Sequence, residues 1–138
     1  MIHLQFDPID VASVERSVHT NENGAVIVFV GRTRNHFAGR EVLELFYEAY
    51  DSMALKQMHA VAEHITAQCA AAKISIVHRL GRVPIGEASV AIAVSSPHRD
   101  EGYKLSRMAI DILKETVPIW KKEIYKDGAQ WKANQSTT

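Results

Sequence analysis

Apolar and polar positions alternate between two periods along this chain, and the switches between them predict the elements. Ile2–Phe6 alternates weakly, as an edge strand would. Asp7-Pro8 opens a short helix that packs through Ile9, Val11, Val14 and Val18, and Asn23-Gly24 marks a turn. Ala25–Val30 (AVIVFV) is apolar and β-branched on both faces, the pattern of a central strand covered on both sides. Gly31–Arg40 is a polar loop with three arginines. Glu41–Tyr50 returns to period two, with Leu43, Leu45, Tyr47 and Ala49 on one face and Glu44 and Glu48 on the other.

A helical period follows. Asp51 is placed to cap a long helix reaching about Ala72, with Leu55, Met58, Val61, Ala62, Ile65 and Cys69 as its apolar stripe. Ile74–Leu80 and Ala88–Ser95 read as strands joined through Gly81 and the Pro84-Ile85-Gly86 turn. A second long helix runs from about Arg99 to Val117 and stops at Pro118, which cannot continue it. Its stripe is Leu105, Met108, Ala109, Ile112, Leu113 and Thr116. Ile119–Tyr125 is a strand, Asp127-Gly128 a hairpin turn, and Trp131 begins a return strand. Hairpins mixed with helical crossovers predict an α+β fold: two long helices on a mostly antiparallel sheet.

Length and charge narrow the picture. The 138 residues suit a single domain, 1–138, with residues 133–138 as a frayed polar tail. Sixteen basic residues balance sixteen acidic ones, so a general nucleic-acid binder is not expected and any anion site must be a local cluster. Cys69 is the one cysteine; it permits no internal disulfide, and a reducing cytoplasm is the expected compartment. The first residues lack the features of a secretory signal, and no apolar run approaches a membrane span.

Three stretches could carry chemistry. Arg32-Thr33-Arg34 leaves the end of a buried strand, where a loop is held at its root and paired guanidinium groups can fork onto phosphate or carboxylate oxygens. The bland alternative is a solvated basic loop. Ser95-Ser96-Pro97-His98-Arg99 joins a strand to a helix. Ser96 as N-cap and Pro97 at the first helical position would leave unpaired N–H groups, attractive to an anion, beside His98 and Arg99. Otherwise His98 merely packs and Arg99 is solvated. Lys114 falls on the polar side of its helix, where periodicity alone reads it as an exposed charge paired with Asp111. However, alternation puts Lys121 on the opposite face from Trp120 and Lys122, so Lys121 can turn back toward the helix end. Two lysines converging in a partly desolvated cleft lower each other's pKa, and such an amine can move protons or attack a carbonyl near neutral pH.

Other candidates lead nowhere. Cys69 sits on an apolar stripe and reads as an inert core thiol. Ser96, His98 and Asp100 are too close together to form a nucleophile, base and orienter. The seven histidines show no metal-ligand spacing, and the glycines make no phosphate-cradling loop. No metal and no cofactor are implied.

Four segments, in order and spacing, resemble the large subunit of molybdopterin synthase: Phe29–Asn35 (FVGRTRN), Leu45–Ala54 (LFYEAYDSMA), Ile76–Gly86 (IVHRLGRVPIG) and Ser95–Trp131, which contains SSPHR, IDILKETVPIWKKE and DGAQW. The resemblance implies an α/β hammerhead-type fold and a homodimer at the centre of a heterotetramer. It also implies a small ubiquitin-like sulphur-carrier partner ending in Gly-Gly. The implied reaction moves sulphur from that partner's C-terminal thiocarboxylate to cyclic pyranopterin monophosphate, giving molybdopterin. By motif position, Lys114 and Lys121 match the family's catalytic lysines. Arg32, Thr33, Arg34, His98, Arg99, Lys122 and Glu123 join those two lysines as matches to its substrate-contacting stretches. The family can send basic residues from beyond this point toward a neighbouring subunit's site; here Lys132 alone is a candidate. Two rival readings use the same cations: a non-catalytic module that docks an anion or phospholigand, and a lysine enzyme that forms a Schiff base.

Overall fold

The most apolar strand of the sequence is not the centre of its sheet. The computed structural model describes residues 1–126 and 128–133, the last five of these by backbone alone. It runs β1 (Ile2–Gln5), α1 (Val11–Arg16), β2 (Ala25–Arg32), β3 (His36–Phe37), β4 (Arg40–Ala49), α2 (Asp51–Gln68), β5 (Lys73–Arg79), β6 (Gly81–Pro84), β7 (Ala88–Ser96), α3 (Arg99–Thr116), β8 (Ile119–Tyr125) and β9 (Gly128–Ala133). The class is α+β with two long helices, as expected, but there are two sheets. The first has the order β1-β5-β7-β2, so β2 lies at an edge and β7 is interior. Both faces of β2 are apolar because each meets a helix. Val26 and Val28 pack toward α1, while Ile27 and Phe29 turn toward α3. A side-chain pattern reports covered faces; it does not report which strand edge is hydrogen-bonded.

The second sheet has the order β3-β4-β8-β9, with β6 paired to the other side of β4. All strand pairings are antiparallel among the described residues except β1 with β5. The main core fills the space between the sheets and α2 and α3, around Met58, Ile65, Ile92, Leu105 and Leu113. A smaller core under α1 joins Val14, Val18, Val77, Ala91 and Ala93. Gly102 stands where α3 crosses β2. A Cβ there would meet Ile27 Cγ1 and Ser96 Oγ, each at 3.0 Å, so an added methyl would press both side chains aside by a few tenths of an ångström.

Local boundaries depart from the sequence reading for identifiable reasons. A bulge between Val42 and Glu44 breaks the alternation in β4: Val42 is buried and Leu43 is 48% exposed, the reverse of the expectation. Asp51 is the first residue of α2, not its cap. Tyr50 occupies the cap position without a side-chain bond, and the Asp51 carboxylate complements the helix dipole instead. The helix ends at Gln68, so Cys69 lies in extended backbone, half-buried and outside the helical stripe to which it was assigned. His98, not Ser96, is the N-cap of α3, and the Ser96 hydroxyl donates to the His98 carbonyl at 2.6 Å. α1 is capped by Asp10, whose carboxylate accepts from the Ser13 N–H at 3.2 Å. β9 begins at Gly128, before Trp131, and Ala133 pairs with Trp120 instead of joining a tail. Asp127 and the rest of the expected tail, 134–138, lie outside the described residues. Among the described residues, no helix is long and apolar enough to cross a membrane.

Candidate active site

A cleft of about 500 Å³ opens where the second sheet meets the end of the first and the C-terminal half of α3. Register builds its base. β4 and β8 pair Tyr47 with Lys121 and Leu45 with Glu123, and alternation turns all four inward. Val42 and Val90 complete the apolar floor. The end of β2 contributes Arg32 and the loop after it Arg34 at one side, and α3 lays Tyr103, Arg107, Asp111 and Lys114 along the other. Positions 103, 107, 111 and 114 share a face of a helix by spacing alone.

Burial sets the electrostatics. Lys121 is 6% exposed and Glu123 3%, with the Tyr125 hydroxyl donating to Glu123 Oε1 at 2.9 Å. Arg40 stacks its guanidinium 3.6 Å above the Tyr125 ring, fixing that phenol from behind. Desolvation lowers the Lys114 pKa, because the cation has left part of its water behind. The Tyr47 phenol is pushed up by burial, with the hydrogen bond to Ser89 opposing and the Glu123 charge adding. Beneath the floor His78 is fully buried and its pKa falls to about 4. Burial is the main cause, the Arg79 carbonyl hydrogen bond opposes it, and the Lys114 charge adds to it.

That last value carries a consequence for stability. Between pH 6.5 and about 4 the unfolded chain takes up a proton at this histidine that the fold refuses, so His78 makes stability fall as pH drops through that window. The full loss at this site is about 3 kcal/mol. Urea titrations at pH 7 and pH 4.5 should show a smaller acid loss in His78→Gln than in the parent. An equal loss in both would mean that the imidazole is not buried neutral.

Of the residues marked from the sequence, Arg32, Arg34, Lys114, Lys121 and Glu123 line this one cleft. The expected convergence of Lys121 with the end of α3 is therefore present, and the expected Lys114–Asp111 surface pair is replaced. Asp111 instead accepts from Arg107 Nε at 2.9 Å. Four marked residues lie elsewhere. Thr33 is 3% exposed and pins the arginine loop to the β6–β7 turn: its N–H donates to Glu87 O and its carbonyl accepts from Gly86 N. Lys122 sits on the outer face, opposite Phe46. His98 and Arg99 stand at the far end of α3, about 20 Å of helix away from Lys114. The Lys132 side chain is outside the described residues. The sequence reading missed Arg107, Asp111, Tyr103 and Ser89 as cleft residues. The helical spacing to Lys114 could have supplied the first three; only the β2–β7 pairing brings Ser89 in. Among the described residues, no three His, Cys, Asp or Glu side chains gather as a metal site would need.

Comparison with known proteins gives concordant results. The profile of the MoaE protein family matches residues 4–116. A molybdopterin synthase catalytic subunit of Culex quinquefasciatus is 47% identical over 141 residues, covering 99% of this chain and 90% of that one. Its counterpart in Drosophila melanogaster is 50% identical over 140 residues; this chain spans 38% of that longer protein. The crystal structure of molybdopterin synthase from Staphylococcus aureus superposes with a TM-score of 0.90 at 40% identity, covering 94% of each chain. In Helicobacter pylori, a complex of subunits 1 and 2 of molybdopterin-converting factor contains a chain of the same fold, at a TM-score of 0.78 and 19% identity, covering 94% of this chain and 88% of that one.

Proposed function

The chain belongs to the MoaE protein family, and we propose that its cleft is the catalytic site of a molybdopterin synthase. The reaction moves sulphur from the C-terminal thiocarboxylate of a small ubiquitin-like carrier subunit to cyclic pyranopterin monophosphate, forming molybdopterin. One observation supports this reading above the others. Lys114 and Lys121 come from the consecutive elements α3 and β8, Arg34 from the remote loop after β2, and all three line one partly desolvated cleft.

Each group then has a task that its chemistry suits. Arg34, with Arg32 beside it, offers planar donors to the substrate phosphate. The open mouth of the cleft admits an extended glycine-rich tail. Lys114 meets the carrier's terminal carbonyl and stabilises the charge that develops there as the acyl carbon gives up its sulphur. Lys121, deeper and fixed opposite Tyr47, donates a proton or clamps the same developing charge. A protein that supplies no thiol to the cleft must receive its sulphur from outside, and the cations suit both a phosphate and a carboxylate-bearing tail. Glu123 bears a negative charge in a site for anions, so its part is to hold neighbouring cations rather than to bind the phosphate.

His98 and Arg99 reach a substrate only if a second copy of the chain brings the start of its α3 to this cleft. The homodimer within a heterotetramer supplies such a copy. Mixed Lys114→Ala and Arg99→Ala chains should then recover activity that neither variant has by itself.

The decisive assay combines this chain with thiocarboxylated carrier and the cyclic pterin and follows dithiolene product together with carrier carboxylate. Both should form. Tight retention of the pterin phosphate with no product, carrier present, would instead mean a docking module. Covalent trapping of the chain by borohydride with a carbonyl compound would mean Schiff-base chemistry.

A further inference from the structure

The arginine loop is held in place by bonds that lie outside the cleft. The ladder between β2 and β7 shifts register between Gly31 and Arg32, and Arg32 with Ala88 is its last pair. Beyond that pair the backbone is held by the turn between β6 and β7. The Thr33 N–H donates to the Glu87 carbonyl at 3.1 Å, and the Gly86 N–H donates to the Thr33 carbonyl at 2.9 Å. The Arg32 side chain closes the same bracket, its Nε donating to the Gly86 carbonyl at 2.7 Å. Gly86 has a φ of +82°, where a side chain is strained, so glycine sets the path of the turn. Arg34 therefore enters the cleft from a root tied to this turn.

A side chain from another strand fixes the turn itself. Arg79 ends β5 and is 8% exposed, and its Nη1 donates to Glu87 Oε1 at 2.7 Å. The Glu87 side chain is 46% exposed, so its carboxylate reaches inward from an open turn to a cation that has lost most of its water. A buried guanidinium is costly without a counter-charge, and that cost restrains Glu87. Neither Arg79 nor Glu87 lines the cleft.

We propose that Arg79 and Glu87 are positioning residues for Arg34: their ion pair seats the β6–β7 turn, whose backbone holds the arginine loop at the cleft. Capture of the substrate phosphate then depends on a pair that never touches it. This inference rests on the catalytic reading of the cleft given above. Glu87 joins the two halves of the device in one residue, its carboxylate bound to Arg79 and its carbonyl bound to Thr33. Loss of the pair releases the root of the loop, so Arg34 spends less time in the geometry that grips phosphate. Lys114 and Lys121 stand on α3 and β8 and keep their places.

The test reads the bracket directly, without substrate, by amide hydrogen exchange of the full-length chain resolved by residue. In Glu87→Ala the Thr33 and Gly86 amides should exchange about tenfold faster or more, while Ile92 and Val94 in the middle of β7 keep the parental rates. Glu87→Gln, which keeps an acceptor oxygen but no charge, should fall between the two. In the sulphur-transfer assay Glu87→Ala should raise the KM for the cyclic pterin about tenfold with kcat unchanged, and Gln should restore part of the difference. Parental exchange at Thr33 and Gly86, or a rise matched at Ile92 and Val94, overturns the proposal, because the pair would then serve stability alone. A lower kcat at parental KM overturns it too. If Glu87→Ala does not fold, Glu87→Gln and Arg79→Lys decide it on the same readouts. A loosened bracket in a chain whose parent makes no product would leave the positioning role intact and remove the catalytic reading instead.

Discussion

Replacing Lys114 with alanine is expected to slow sulphur transfer by about a hundredfold or more while the chain remains folded. The size follows from the role. A preorganised cation facing developing charge in a water-poor cleft is worth about 3–4 kcal/mol in the transition state, because no solvent dipole can take its place during the reaction. The fold should survive, since Lys114 is half-buried in the last turn of α3 and its amine lines a cleft rather than the core. What is lost structurally is a cation at a helix C-terminus, typically about 0.3–1 kcal/mol. Part of that is returned, because burial lowers the amine's pKa and the folded chain is relieved of a desolvated charge. Single-turnover formation of carrier carboxylate, run beside a urea denaturation curve, separates the two effects. A well-folded Lys114→Ala chain that transfers sulphur at the parental rate would end the assignment.

The adjacent residue should give the opposite phenotype. Leu113→Ala is expected to destabilise the chain by about 2–5 kcal/mol, a large share of the 5–15 kcal/mol that a domain typically has. Leu113 is 1% exposed within the main core, where α3 meets the sheets, so truncation leaves a cavity that packed neighbours can only partly fill. The melting temperature should fall by roughly 10 °C or more. The rate per folded molecule should change little, since the side chain points away from the cleft. Thermal unfolding and active-site titration on one preparation measure both. A cost under about 1 kcal/mol would mean that α3 is not seated as described.

The contrast between these neighbours shows how much was legible in the amino-acid order. Period 3.6 separated Leu105, Ala109 and Leu113 from Arg107, Asp111 and Lys114, and Pro118 set the end of the helix. Period two sends Lys121 inward and Lys122 outward. Both results are local, depending on the direction a side chain leaves a regular backbone. The failures are of one kind too. Leu43 was turned the wrong way because a bulge costs one residue of register and leaves no mark in composition. Ala25–Val30 looked interior because helices cover both its faces, although β7 is the interior strand. Ser96 carried a good capping pattern, yet its strand continued through it and His98 took the cap.

The amino-acid sequence by itself determined the class of fold, the helix faces and strand faces, and the motif set that placed the chain in its family. Only the tertiary structure decided that the arginine loop joins the end of α3 and the inner face of β8 in one cleft, that His98 and Arg99 do not, and that His78 lies beneath it. The reason is physical. Periodicity is written in neighbours a few residues apart, whereas which distant segments meet depends on strand pairing and core packing, and those energies belong to pairs of segments rather than to either one.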